Sequence, residues 1–306
     1  MTMLQTDRLF QQLTKIMNEV SQGNTGNIET IFELTKEGIY PPEIVNLAES
    51  FGMMVVNIEA KQQQLEQLLT DLQEKNRALE LASNSLLNAN VGMLEVLGSA
   101  IAKRDSDTCS HNYRVCIYAI HLGKELGLSA DNLRSLIKGA FLHDIGKIAI
   151  SDTILLKPGG LDDHEYETIK THVLHGSEII KAYSWLSDAH DVVLYHHEKF
   201  SGTGYPDGLK ADQIPLNARI FAICDVFDAL TSKRPYKEPY PLDYAVRVMR
   251  CEVGSHFDPE IFDLFVKKAE TIHETIARLS ESQLERVLHA IMHDYFAPSE
   301  RNGENR

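Results

Sequence analysis

The sequence predicts an all-α fold. Apolar residues recur at helical spacing, no period-two alternation runs long enough for a sheet, and glycine- or proline-rich breaks separate the helical stretches. The 306 residues, 43% hydrophobic and 24% charged, are enough for one large domain and a smaller one.

In chain order, a first helix spans roughly residues 7–22 and ends at Gly23-Asn24. An irregular connector leads to Pro41-Pro42, where proline opens a long helix. From there every seventh residue is apolar: Ile44, Phe51, Ile58, Leu65, Leu72, Leu79, Leu86 and Met93. Three residues further on in each repeat the pattern is mixed, with Leu47, Met54, Leu68, Ala82 and Ala89 interrupted by Lys61 and Lys75. Sustained heptads with polar flanks predict a coiled coil. Residues 61–80 are too polar to bury a broad face, so the expected partner is a second copy in a parallel homodimer. From Val91 onward helix follows helix, with breaks at Gly127, Pro158-Gly159-Gly160 and residues 202–208. Asp162-Asp163-His164-Glu165 reads as a helix start with an acidic first turn. Residues 219–231 read as a buried helix carrying Asp225 and Asp228 on one face. Residues 298–306 are polar, and a disordered tail is expected there.

The net charge of −14 speaks against a nucleic-acid polymer as partner, because phosphate contacts need clustered Lys and Arg. No run approaches the roughly 20 apolar residues of a membrane span. The N-terminus lacks the basic-then-apolar pattern of a signal peptide. The four cysteines, Cys109, Cys116, Cys224 and Cys251, show no CxxC spacing. A cytoplasmic protein with reduced, mostly buried thiols and no membrane span is expected.

The chemistry concentrates in His143-Asp144, His172, His196-His197 and Asp225, all set in apolar, helix-forming surroundings. Burying such groups without partners costs about 1–3 kcal/mol each. A metal cluster satisfies them together, since imidazole and carboxylate suit iron, manganese or zinc.

These residues sit in longer motifs. His143-Asp144-Ile-Gly-Lys147 is followed by His172, then His196-His197-Glu198-Lys-Phe-Ser-Gly202-Thr-Gly204-Tyr205-Pro206-Asp-Gly208. Ile214-Pro215-Leu216, Asp225-Val-Phe-Asp228-Ala-Leu-Thr-Ser, Arg234-Pro-Tyr-Lys237 and Gly254-Ser-His-Phe-Asp-Pro259 complete the series. In this order they resemble the HD-GYP family, bacterial phosphodiesterases of the HD metal-dependent phosphohydrolase superfamily. The resemblance implies an HD-domain helical bundle over 93–297. A coiled-coil signalling helix over 59–92 and a small helical regulatory module over 1–58 precede it. That module, a helix, a glycine, a connector and Pro42-Glu43-Ile44, resembles a HAMP signalling module with a longer connector.

The family resemblance also implies hydrolysis of cyclic di-GMP to pGpG, with further cleavage to GMP left open. Cyclic GMP-AMP is an alternative substrate. A non-catalytic, metal-bearing module that docks diguanylate cyclases through the Gly204-Tyr205-Pro206 loop is an alternative role. Carried over by residue, the ligands of two divalent ions, iron or manganese, are His143, Asp144, His172, His196, His197 and Asp225. Asp144 bridges, and a shared hydroxide attacks phosphorus. Some family members hold a third ion through an acid four residues before the first conserved histidine. Here His111 and Asp107 occupy those positions, although the family's acid in that form is Glu. Lys147 is expected to stabilise charge developing on the attacked phosphate. Arg234 and Lys237 are expected to hold substrate phosphates, and Tyr205 and Pro206 to border the substrate. His121, His164, His175, His190, His256, His273, His289 and His293 are expected to be structural or solvated.

Overall fold

The structure, a computed structural model, describes residues 3–22, 28–36, 39–104, 109–233 and 238–296. Among them the secondary structure is helical, as the sequence predicts, with two isolated bridges (Ser201 with Lys210, Val253 with Phe257) and no strand. Asp107, Arg234, Lys237 and the polar tail lie outside the described residues. The chain divides into two compact units, Met1–Ala82 and Ser83–Arg306.

The first unit holds α1 (Met3–Ser21), α2 (Ile28–Glu33) and the start of α3 (Pro42–Arg104). Leu13, Ile16, Ile31, Leu34, Ile44, Ala48, Phe51 and Val55 form its core. The connector that the sequence left irregular therefore contains a helix. Six residues are too few to show a period, and burial of Ile31 and Leu34 holds the turn in place. Along α3, every residue from 56 to 86 is exposed, Leu65, Leu72, Leu79 and Leu86 included.

By length and composition alone, α3 also meets the threshold for a membrane-crossing helix, with a window of mean hydropathy 1.2. The sequence reading looked for an unbroken apolar run, whereas the window reaches its mean with polar residues interspersed. Near the helix C-terminus, Leu94, Ile101 and Ala102 are buried in protein.

In the second unit α4 (Cys109–Glu125) is central. It packs against α5 (Ala130–Leu142), α10 (Leu216–Thr231), α12 (Pro259–Ile276) and α13 (Glu281–Phe296). Tyr118 of α4 meets Phe227 of α10 edge-on at 5.1 Å, and Phe227 meets Phe265 of α12 at 4.9 Å. Each such ring, fully buried, stabilises the fold by roughly 1.5–3 kcal/mol. Between α5 and α10 come a 3-10 turn (Ile145–Ala149), α6 (Asp152–Leu155), α7 (Asp163–Lys170), α8 (His172–Lys181) and α9 (His190–Tyr195). α11 (Leu242–Arg250) follows α10.

Local sequence sets these boundaries. Ser129 caps α5 by accepting from Asn132 N. Asp162 and Glu165 form a reciprocal capping box on α7, fixing the helix start expected there. Asp258 caps α12 with Pro259 in the first turn. The 3-10 turn lies so close to α8 that a Cβ at Gly146 would collide with the His172 carbonyl oxygen. Only glycine permits that approach, which brings the His143-Asp144 pair up to His172.

Candidate metal centre

The motif residues come from different elements. His111 is on α4, His143 caps α5, Asp144 begins the 3-10 turn and His172 opens α8. His196 and His197 follow α9, and Asp225 sits on α10. Their donor atoms converge in two groups, Asp144 with His172, His196 and His197, and His111 with His143 and Asp225. Within each group the donors lie within 4.8 Å of one another.

Asp144 stands between the groups. Its Oδ1 is 3.4 Å from His172 Nε2 and 4.0 Å from His196 Nε2. Its Oδ2 is 3.0 Å from His143 Nε2 and accepts a 2.8 Å hydrogen bond from Lys147 Nζ. Burial alone would raise the Asp144 pKa, but His143 and Lys147 outweigh it and hold the carboxyl well below its usual range. Asp144 is therefore an anion throughout the neutral range.

Backbone carbonyls set the histidine tautomers. Nδ1–H of His143 donates to Ala140 O at 2.9 Å, that of His172 to Ile169 O at 2.7 Å, and that of His196 to Val192 O at 3.0 Å. His143 and His196 are thus gripped by the last turn of the helix each one ends, and His172 by the last turn of α7 just before it, leaving Nε2 to point inward. Burial pushes the pKa values of His172 and His196 down, and it takes His197, beside His172, to about 3. All three are neutral imidazoles at neutral pH. The Nε2 atoms of His172 and His196 face each other at 3.4 Å. Two lone pairs aimed together repel unless a cation lies within reach of both. The donors present therefore suit divalent ions, which bind neutral imidazole and ionised carboxylate.

His111 is bracketed by acids. Its Nδ1–H donates to Asp228 Oδ2 at 2.8 Å, and its Nε2 is 3.3 Å from Asp225 Oδ1. Burial disfavours charge there, but the two carboxylates reverse this and push its pKa up to about 10. Burial likewise opposes ionisation of Asp225, yet the His111 bond holds it at about 2. A divalent ion can take the place of the Nε2 proton. The fold stands His111 with His143 and Asp225; Asp107, the acid the sequence pairs with it, lies outside the described residues.

Two residues gained no role from sequence. Asp228 is buried and accepts from His111, from Arg114 Nε at 2.6 Å and Nη2 at 3.0 Å, and from Ser232 Oγ at 2.8 Å. Its position three residues after Asp225 was visible, but spacing does not say which carboxylate faces the ligand and which grips its far side. Glu198 is also buried, and its Oε1 accepts from Asp207 N at 2.8 Å. Its backbone crowds Gly204 so closely that a Cβ there would collide with Glu198 Cα. Glu198 thereby fastens the 202–208 loop to the histidine pair, and the Tyr205 ring lies on His197 with centroids 4.8 Å apart.

Outside the cluster, His273 bonds the Tyr118 hydroxyl and His256 stacks on Phe257. Cys116 and Cys224 are buried, while Cys251 is exposed.

Residues 95–261 match the family model described as HD domain. The cyclic di-GMP phosphodiesterase response regulator RpfG of Xanthomonas campestris pv. campestris is 37% identical over 214 residues, 67% of this chain and 57% of the relative. A cyclic di-GMP phosphodiesterase of Thermotoga maritima is 38% identical over 188 residues, 61% of this chain and 51% of the relative. A protein named 3'3'-cGAMP-specific phosphodiesterase 2, from Vibrio cholerae, is 34% identical over 223 residues, 71% of this chain and 42% of the relative. The chain spans about half the length of these relatives.

Proposed function

The chain belongs to the HD domain family and carries the HD-GYP motifs, and from that premise we propose that it is a metal-dependent phosphodiesterase hydrolysing cyclic di-GMP to pGpG. The observation that carries the reading is the convergence of His172 and His196 on Oδ1 of Asp144, with His197 in the same donor group and His143 on Oδ2. His111, His143 and Asp225 would hold one ion, His172, His196 and His197 a second, and Asp144 would reach both; iron or manganese suits this donor set. Bound there, divalent ions would polarise the phosphoryl group and make a water-derived nucleophile available at neutral pH.

The chain's own residues do the rest. Lys147 is held over Asp144 by its 2.8 Å bond, and in this reading its ammonium would stabilise charge developing on the phosphate. Arg104, at the end of α3, donates to the Lys147 carbonyl at 2.9 Å and to the Ile150 carbonyl at 2.7 Å, which fixes the backbone that carries Lys147. The Tyr205 ring on His197 walls the site on the loop side. Because that ring faces inward, we assign the Gly204-Tyr205-Pro206 loop to substrate and not to docking a diguanylate cyclase.

Metal analysis and product identification test the reading. Protein loaded anaerobically with iron or manganese is expected to carry about two ions per chain and to release pGpG. Loaded protein that leaves cyclic di-GMP and cyclic GMP-AMP both intact would remove the proposal. Arg234 and Lys237 enter as phosphate grips on their motif alone. Their replacement by alanine is expected to raise KM more than it lowers kcat, with metal content unchanged.

We also propose that α3 pairs with a second copy, as a signalling helix below a regulatory module in residues 1–58. Leu65, Leu72, Leu79 and Leu86 recur every seven residues and are each more than half exposed. A lone helix gains little from leucines held in water, and burying each against a partner is worth roughly 1.5–3 kcal/mol. Leu65→Glu with Leu72→Glu is expected to convert a dimer to a monomer in light scattering. A monomeric wild type at micromolar concentration would discard the seam. The unpaired Cys116, Cys224 and Cys251 fit a reducing, cytoplasmic compartment.

A further inference from the structure

A cluster on α7 lies beside the metal donors and has no part in holding ions. Tyr166 and Lys170 are one helical turn apart and share a face. The Lys170 ammonium stands 4.9 Å from the centre of the Tyr166 ring and 5.6 Å from that of Tyr205. Tyr205 in turn lies on His197. Lys170 is thus one ring's breadth from a metal donor. Tyr166 leaves 49% of its surface open, enough to present a ring face to solvent. Lys170 pairs at 2.6 Å with Glu167, whose side chain is largely exposed. An exposed pair of this kind is worth about 0–1 kcal/mol and is readily exchanged for a ligand. Burial, with Tyr166 and Asp144 close by, pushes the Tyr205 phenol pKa up, so the hydroxyl stays neutral beside these groups.

The phosphodiesterase reading, on which this inference rests, puts a purine in reach of this cluster. With one phosphodiester at Asp144 and His197, a cyclic dinucleotide would carry the attached base toward Tyr205, whose ring lies on His197. Stacking on an aromatic face accepts any base. The ammonium does not: guanine presents N7 and O6, both acceptors, whereas adenine presents N7 beside a donating amino group. We infer that Tyr166, Tyr205 and Lys170 form the base-reading subsite next to the attacked phosphodiester, with Lys170 selecting guanine over adenine at that position.

Steady-state kinetics of the metal-loaded full chain test this with cyclic di-GMP, cyclic di-AMP and methyl p-nitrophenyl phosphate, a diester without a base. Lys170→Met is expected to raise KM for cyclic di-GMP about tenfold and to shrink the preference over cyclic di-AMP by a similar factor. Lys170→Arg, which keeps the donors, should retain the preference. Tyr166→Ala is expected to raise KM for both dinucleotides about 10- to 100-fold while leaving their ratio in place. In every case the loss on methyl p-nitrophenyl phosphate should be several-fold smaller. Unaltered KM and base preference in Lys170→Met, or parallel losses on all three substrates, would overturn the subsite and leave a surface ion pair. A wild type that cleaves methyl p-nitrophenyl phosphate but no cyclic dinucleotide would instead overturn the phosphodiesterase reading beneath it.

Discussion

Asp144→Ala is expected to abolish turnover and to strip most of the bound metal. This carboxylate meets His172 through Oδ1 and His143 through Oδ2, so its loss separates the two donor groups. It also leaves His143, whose pKa the Asp144 charge raises against burial, without its counter-charge. Lys147→Ala removes the neighbouring ammonium and leaves every donor histidine and Asp144 in the chain. It is expected to retain metal and to slow turnover by two to three decades, about 3–4 kcal/mol in the barrier. Metal analysis alongside single-turnover rates separates the two. A metal-free Asp144→Ala protein that still turns over at the wild-type rate would sink the mechanism, and a Lys147→Ala protein that loses its metal would remove the distinction.

Asp228→Ala is expected to be the most destabilising single change at the site. Asp228 is 1% exposed and accepts from His111, Arg114 and Ser232 together. Without it the guanidinium of Arg114 and the ring of His111 lose their shared anion inside the fold. Breaking one side of a buried ion pair costs about 3–5 kcal/mol. Arg114 keeps some contact with solvent, which places the expectation near the lower end, at about 3 kcal/mol. Urea unfolding should show the lower midpoint. Metal titration should show affinity reduced about 10- to 100-fold, because His111 loses the bond that fixes its ring. Asp228→Asn keeps the shape and an acceptor but not the charge, and should fall between. An Asp228→Ala protein with wild-type midpoint and wild-type metal affinity would show that the network neither supports the fold nor aims His111.

The helical class was legible because period and punctuation agree along most of the chain, and the long helix from Pro42 because its heptads never break. α2 was not, since six residues carry no period and only their burial against Leu13, Ile16 and Ile44 makes them a helix. The ligand histidines were legible because His-Asp and His-His neighbours in apolar surroundings demand a common partner. What sequence could not supply was direction. Asp225 and Asp228 share a face of α10, yet one points past His111 Nε2 and the other takes Nδ1, a choice made by the placement of α4. The meeting of Lys170 with Tyr205 is likewise a tertiary contact across 35 positions, and no local spacing announces it.

The carbonyl grip on His143, His172 and His196 has a consequence for how the protein acquires its ions. The rings are oriented by carbonyls of the helices that end at or just before them, and burial keeps two of them neutral. Nothing in that arrangement waits for a particular element to shape it. A mixed nitrogen–oxygen site of this kind binds divalent first-row ions in the Irving–Williams order, with copper and zinc ahead of iron and manganese. Occupancy by a redox-active or a redox-inert ion would then be settled by what is on hand when the polypeptide matures. On the phosphodiesterase reading, oxygen tension and metal homeostasis would then be inputs to its activity, through a route that needs no sensory domain.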